Sequence, residues 1–128
     1  MITQAQVQIW LDAYGKAWIE GDPDKLVTLF TDDALYQETP FDEPMVGKEA
    51  IRAYWQEGAA DAQEDVSFSS KVWALDDMYA VAHWQARFTR IPSGTRVDLD
   101  GTFKLLFSIT LNGLKCRELR EWWHRQES

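Results

Sequence analysis

Two long segments in the second half of the sequence alternate apolar and polar residues with a period of two. Such alternation is typical of strands that turn one face to a core. The segment 97–111 is longer than an ordinary strand, and Gly101 within its apolar parity predicts a bend in that strand. The apolar residues of the two segments are Ala80, Ala82, Trp84, Ala86 and Phe88 in the first, and Val97, Leu99, Phe103, Leu105, Phe107, Ile109 and Leu111 in the second.

The first half of the sequence instead repeats its apolar residues at helical spacing. The pattern predicts a helix over residues 3–20, because Thr3 and Gln6 form a capping box and Gly21 is a natural C-cap. Asp22-Pro23 then starts a second helix, with Asp as the N-cap and Pro at the first position. Leu26, Leu29 and Phe30 form its apolar stripe, and Thr31-Asp32-Asp33 ends it. The residues that share the buried face of the first helix are Val7, Trp10, Leu11, Tyr14 and Trp18.

The remaining elements complete an α-α-β-α-β-β-β-β order. Residues 34–39 are predicted as a short strand, 48–58 as a third helix and 115–124 as the last strand. Helices at the front and antiparallel strands at the back favour an α+β fold. A chain of 128 residues that is 45% hydrophobic makes one domain, spanning 1–128.

Charge and cysteine content exclude several function classes. Lys and Arg total 13 against 21 Asp and Glu, a net charge of −8, which argues against nucleic acid and against a membrane surface as partners. No apolar run is long enough for a transmembrane helix, and the N-terminus lacks the pattern of a signal peptide. The lone Cys116 forms no internal disulfide. The expected compartment is the cytoplasm.

Several motifs along the chain match the pattern of one known family. They are Tyr14-x3-Trp18-x2-Gly21-Asp22, Leu29-Phe30-x-Asp32-Asp33-Ala34 and Pro40-x3-Pro44-x2-Gly47-x2-Ala50-Ile51-x2-Tyr54-Trp55, with the hairpin Asn112-Gly113 and the closing Glu121-Trp122-Trp123. On these residues nearly the whole chain, and residues 14–55 most specifically, resembles the NTF2-like superfamily, and within it the SnoaL-like and ketosteroid-isomerase-like proteins. The resemblance implies a cone in which three N-terminal helices pack on a strongly curved, mostly antiparallel sheet around a pocket at the open end. It also implies a homodimer.

The resemblance implies two catalytic residues. Glu38 matches the position of the general base of ketosteroid isomerases, and Tyr14 matches the tyrosine that helps to form their oxyanion hole. A carboxylate base works best among apolar neighbours, and a phenol can donate a hydrogen bond to a developing enolate. The residues expected to line the pocket with them are Trp18, Tyr36, Phe41, Tyr54, Trp55, Trp84, Phe103 and Trp122.

The sequence departs from the isomerase pattern in its late strands. Phe103 or Phe107 stands near the position of the second, protonated acid of that site, whereas Asp98 and Asp100 fall in the opposite parity. An epoxide-hydrolase site would need an Asp-Arg-Asp arrangement, and Arg87, Arg96, Asp98 and Asp100 offer these residue types. They lie on the polar faces of their strands, which favours a solvated ladder of ion pairs instead.

Two functions of different classes remain open. One is a small-molecule isomerase, cyclase or hydratase that uses Glu38 and needs no metal or organic cofactor. The alternative is a non-catalytic module that binds a small hydrophobic molecule or dimerises. His83 and His124 lie far apart without metal-ligand spacing, so no metal site is predicted.

Overall fold

The computed structural model describes all 128 residues, Met1–Ser128. Three α-helices occupy the front of the chain: α1 (Gln4–Glu20), α2 (Pro23–Val27) and α3 (Lys48–Trp55), the last continued by a π-helical turn, Gln56–Ala60. None of these helices has the length and apolar character needed to cross a membrane.

Six strands form one mixed, curved and open sheet. In chain order they are β1 (Phe30–Gln37), β2 (Met45–Val46), β3 (Gln63–Asp76), β4 (Tyr79–Arg90), β5 (Arg96–Thr110) and β6 (Gly113–Glu127). Their order across the sheet is β2-β1-β6-β5-β4-β3, and only the β1–β6 pair is parallel. The predicted α+β cone of helices on a mostly antiparallel sheet is confirmed.

Helix α1 covers the sheet with the face that the sequence predicts. Thr3 and Gln6 form both hydrogen bonds of the capping box, and Gly21 ends the helix in the left-handed region at φ 63°. The buried residues of α1 join the inward residues of β4, β5 and β6 in one apolar core. Helix burial and strand alternation therefore specify the same core.

The second helix ends earlier than the apolar pattern predicts. Leu29 and Phe30 were expected on its stripe, yet α2 stops at Val27 and Phe30 begins β1. The carbonyl oxygen of Leu29 accepts hydrogen bonds from the backbone of Cys116 at 2.8 Å and from the indole of Trp10 at 2.9 Å. These tertiary bonds draw the backbone into the sheet, which local propensity does not reveal.

Gly101 is required by a close approach rather than by a turn. A Cβ atom at this position would lie 2.7 Å from the ring of Trp84 and 2.7 Å from the carbonyl oxygen of Trp122. Glycine therefore leaves the space in which the Trp84 indole lies against β5.

Gly101→Ala is expected to lower the free energy of unfolding by about 1–3 kcal/mol, because the added methyl group overpacks a site closed by backbone on one side. Urea denaturation measures the change. Gly58→Ala is the matched control, since a Cβ at Gly58 meets nothing within 4 Å. Equal stability of both variants would contradict the packing role of Gly101.

The parallel pairing of β1 with β6 positions the site described next. Tyr36 pairs with Leu119 and Gln37 with Arg120, so the residue that follows β1, Glu38, lies beside Glu121. Glu121 in turn lies opposite Phe103 on β5. Two acids that are distant in the sequence thus meet at one end of the sheet.

Candidate functional site

A cavity of about 240 Å³ lies between the helices and the inward face of the sheet. This is slightly below the usual size of small-molecule sites, about 300–1,000 Å³, so it suits a molecule of one or two rings. Half of the sixteen residues that line it are aromatic, and five are polar or charged. The lining residues are Tyr14, Trp18, Tyr36, Glu38, Tyr54, Trp55, Gly58, Ala59, Gln63, Trp84, Phe88, Arg90, Leu99, Glu121, Trp123 and Arg125.

Two buried phenols, Tyr14 on α1 and Tyr36 on β1, form a hydrogen-bonded pair in the wall of the cavity. Their hydroxyl oxygens are 2.8 Å apart, and each residue is 1% exposed. Burial raises the pKa of both phenols, and the carboxyl group of Glu121 raises them further. Both therefore stay protonated. One hydroxyl donates to the other, which leaves the second proton free to bind a ligand oxygen.

Glu121 is a buried acid that the sequence reasoning missed. It is 7% exposed on β6, and it forms no side-chain hydrogen bond or salt bridge within the chain. Burial raises the pKa of its carboxyl group well above the ordinary value, and the charge of Glu38 raises it further. Both effects favour the neutral form of Glu121, which can donate a hydrogen bond or a proton.

Glu38 is a half-buried cavity residue that follows β1 directly. No arginine or lysine pairs with it: the nearest guanidinium in the β1–β6 ladder, that of Arg120, binds Glu118 and Gln37 instead. The neighbouring phenol of Tyr54 has its pKa raised by burial, then by Glu121 and Glu38. Glu38 therefore faces neutral donors rather than a cation.

Three tryptophans, Trp18, Trp55 and Trp84, form the aromatic wall. The indole of Trp18 donates to the Oε1 atom of Gln63 at 2.7 Å. The Nε1 atoms of Trp55 and Trp84 are buried without a hydrogen-bond partner. An unsatisfied buried donor costs about 1–3 kcal/mol, so the packing of these two indole rings offsets a cost in hydrogen bonding.

Three of the residues expected to line the pocket lie elsewhere. Phe41 is 93% exposed in the loop after β1, because the two flanking prolines hold that loop out of the sheet. Phe103 is fully buried behind the ring of Tyr14. Trp122 is 49% exposed on the opposite face of β6, and its neighbour Trp123 lines the cavity instead, as strand alternation requires.

The polar residues of β4 and β5 form ion pairs on the sheet face away from the helices. His83 Nε2 lies 2.8 Å from Asp100 Oδ1, and Arg87 Nε lies 2.5 Å from Asp98 Oδ1. Arg87, Asp98 and Asp100 border a larger, open groove of about 500 Å³ whose lining residues are mostly polar. None of these four residues lines the aromatic cavity. The Arg87–Asp98 pair agrees with the ladder that the polar parity predicts, whereas Arg96 forms no salt bridge and donates to the hydroxyl of Thr89 instead.

Comparison with protein families identifies the family of this chain. A family model of the SnoaL-like domain matches residues 11–108. The chain belongs to the SnoaL-like family. The match begins within α1 and ends within β5. The matched region contains the predicted catalytic residues of this SnoaL-like protein, Tyr14 and Glu38, whereas Glu121 lies beyond it. Comparison with functionally curated proteins finds no significant match.

Solved structures of similar fold cover nearly the whole SnoaL-like chain. The epoxide hydrolase/cyclase-like enzyme SalBIII, which has a role in pyran ring formation in the polyether salinomycin, superposes with a TM-score of 0.78 at 24% identity, covering 97% of this chain and 95% of its own. A hexachlorocyclohexane dehydrochlorinase, LinA type 2, gives 0.81 at 8% identity, covering 97% and 87%. A ketosteroid isomerase-like protein from Erwinia carotovora atroseptica gives 0.71 at 18% identity, covering 92% and 93%. At these identities the similarity shows a shared fold.

Proposed function

We propose that this SnoaL-like protein catalyses proton transfer on a small, largely apolar molecule that carries a carbonyl or similar oxygen. The reaction class is that of a cofactor-independent isomerase, cyclase or hydratase. The observation that carries the proposal is the buried Tyr14–Tyr36 hydroxyl pair, which shares one cavity with two carboxyl groups, Glu38 and Glu121.

The two carboxyl groups differ in a way that assigns their roles. Burial and the charge of Glu38 keep Glu121 protonated, so Glu121 serves as acid or hydrogen-bond donor. Glu38, half-buried at the end of β1 and without a cationic partner, serves as base. Pairs of acids whose environments separate their pKa values are a recurrent arrangement for acid–base chemistry.

In the proposed step, Glu38 removes a proton from the carbon next to the substrate oxygen function. The electron pair of the broken C–H bond forms a carbon–carbon double bond, and negative charge collects on the oxygen. The free proton of the Tyr14–Tyr36 pair stabilises that charge, because it is already positioned in surroundings with little water. When protonated Glu38 returns the proton to a different carbon, the product is an isomer. When Glu121 instead donates its proton to a leaving oxygen as the bond from carbon to that oxygen breaks, the product has lost water or an alcohol, and Glu121 regains a proton from solvent as Glu38 releases its own.

The reactions named for similar structures support this reaction class. Dehydrochlorination, pyran ring formation and ketosteroid isomerisation differ in outcome, but each needs proton movement at an apolar substrate. The aromatic wall supplies apolar contact area for such a substrate.

A neutral bicyclic ketone, 2-tetralone, provides a direct test. In D2O the wild-type chain is expected to exchange the hydrogens next to its carbonyl faster than buffer does, with saturation at high ketone concentration, as followed by NMR. Saturable binding without any gain in exchange would favour the non-catalytic binding module instead. The observation that favours this alternative is the small cavity lined by aromatic rings, which can bind an apolar molecule without any reaction.

Tyr14→Phe is expected to lower the exchange rate by about ten-fold or more, because it removes a hydroxyl that helps to stabilise the oxyanion. It should also lower the free energy of unfolding by about 1–3 kcal/mol, since the Tyr36 hydroxyl is left buried without its partner. Exchange and urea denaturation measure the two effects. Tyr79→Phe is the control, because Tyr79 is an exposed residue at the start of β4 that does not line the cavity. Loss of stability with an unchanged exchange rate would place Tyr14 in the core only.

A further inference from the structure

The cavity is polar at two separate ends. Along the inward face of β6, Glu121, Trp123 and Arg125 follow one another at two-residue spacing, so the Cα atoms of Glu121 and Arg125 are about 13 Å apart. Glu121 marks the end that holds the phenols and Glu38. Arg125 marks the rim, where Leu99 is its partner on β5.

A second guanidinium, that of Arg90, lines the cavity from the last residue of β4. Arg90 pairs through the backbone with Gln63, another cavity residue, and its guanidinium carbon lies 5.9 Å from the centre of the Phe88 ring. The guanidinium forms no salt bridge, whereas the arginines 52, 87, 120 and 125 each pair with an Asp or Glu. In a chain with 21 acidic and 13 basic residues, a cation left unpaired at a cavity is available for an external anion.

We infer that the molecule bound by this cavity carries a carboxylate group at the end opposite to its reacting oxygen, and that Arg90 binds this carboxylate at the rim. The inference rests on the proposed function, whose site it extends. A guanidinium matches the two oxygens of a carboxylate, with two parallel N–H donors.

The charges along the cavity favour this orientation over the reverse. A carboxylate placed at the inner end would be repelled by the carboxylate of Glu38. Glu121 adds no such repulsion in its neutral form. At the rim the same group meets Arg90, with Arg125 close by and already paired with Glu127. The aromatic rings between the two ends accept a flat apolar body. The ligand class is therefore a one- or two-ring carboxylic acid with an oxygen at its far end.

A matched pair of probes tests the inference: 6-hydroxy-2-naphthoate and its methyl ester, titrated calorimetrically at pH 7.5. The wild-type chain is expected to bind the acid about ten-fold tighter than the ester, because a hydrogen-bonded ion pair forms only with the acid. Arg90→Gln should remove this difference by weakening the acid alone. Arg87→Gln is the matched control, since Arg87 lies on the same strand, faces away from the cavity and pairs with Asp98.

Equal affinity of acid and ester for the wild-type chain would overturn the inference and leave the proposed function standing. A preference for the acid that survives in Arg90→Gln would also overturn the assignment to Arg90. Failure of both probes to bind would count against the inference and against the cavity as a site. The exchange of 2-tetralone tests the proposed function separately, because that ketone is neutral.

Discussion

Glu38→Gln is expected to abolish the enzyme-dependent exchange of 2-tetralone hydrogens in D2O. A positioned general base contributes about 10²–10⁴-fold to a proton transfer, and an amide at the same position cannot accept the proton. The substitution preserves the size of the side chain, so the ketone should still bind with nearly unchanged affinity. The measurement is the NMR exchange rate at saturating ketone, together with the dissociation constant from titration.

The control for this variant is Glu43→Gln. Glu43 is an exposed acid in the loop that follows Glu38, and it does not line the cavity. Its exchange rate should equal that of the wild type. Retained exchange in Glu38→Gln would remove Glu38 as the base. Loss of both binding and exchange would assign Glu38 to ligand binding rather than to proton transfer.

Glu121→Gln is expected to make the protein more stable at neutral pH and to remove a pH dependence of its stability. The pKa of the Glu121 carboxyl group is raised in the folded state, so between the unfolded value of about 4.3 and the folded value the native state binds more protons than the unfolded state. The free energy of unfolding of the wild type therefore falls as pH rises through this window, by at most about 1.4 kcal/mol per pH unit. A glutamine at this position carries no such titration.

Urea denaturation from pH 4.5 to 8 should show the stabilities of wild type and Glu121→Gln diverging as pH rises. Glu118→Gln on the same strand is the control, because Glu118 pairs with Arg120 and lies outside the cavity. Glu38→Gln should reduce the divergence, since the charge of Glu38 contributes to the raised pKa of Glu121. Parallel stability curves for wild type and Glu121→Gln would show that Glu121 ionises normally in the folded chain.

The fold could be predicted because its strongest signals are periodic. The alternation in residues 79–90 reproduces β4, and the helical spacing in residues 3–20 reproduces α1 with its capping box. The errors fall where tertiary bonds decide the outcome. At Leu29, bonds from Trp10 and Cys116 end the helix early, and Ile109 and Leu111 are exposed although they share the core parity, because the β5–β6 hairpin extends beyond the helices.

The site was harder to predict than the fold because it depends on which strands are neighbours. Tyr14 and Glu38 were named from the family pattern, and the structure places both on one cavity. Glu121 was not among the predicted site residues, although its parity with Leu119 and Trp123 indicated an inward side chain. Only the parallel β1–β6 register, which no local pattern specifies, shows that this acid lies beside Glu38.

The parallel β1–β6 register also determines at which stage of folding the site forms. The side-chain hydrogen bond between Gln37 and Arg120 joins residues that are 83 positions apart, whereas β3 to β6 can pair as a meander of sequence neighbours. Closing so long a loop costs entropy that local hairpins do not pay. A partly assembled intermediate that holds only the meander would therefore keep its two glutamates apart and be chemically inert. The proposed proton-transfer site forms only with the final long-range closure of the chain, so the proposed activity would report complete folding.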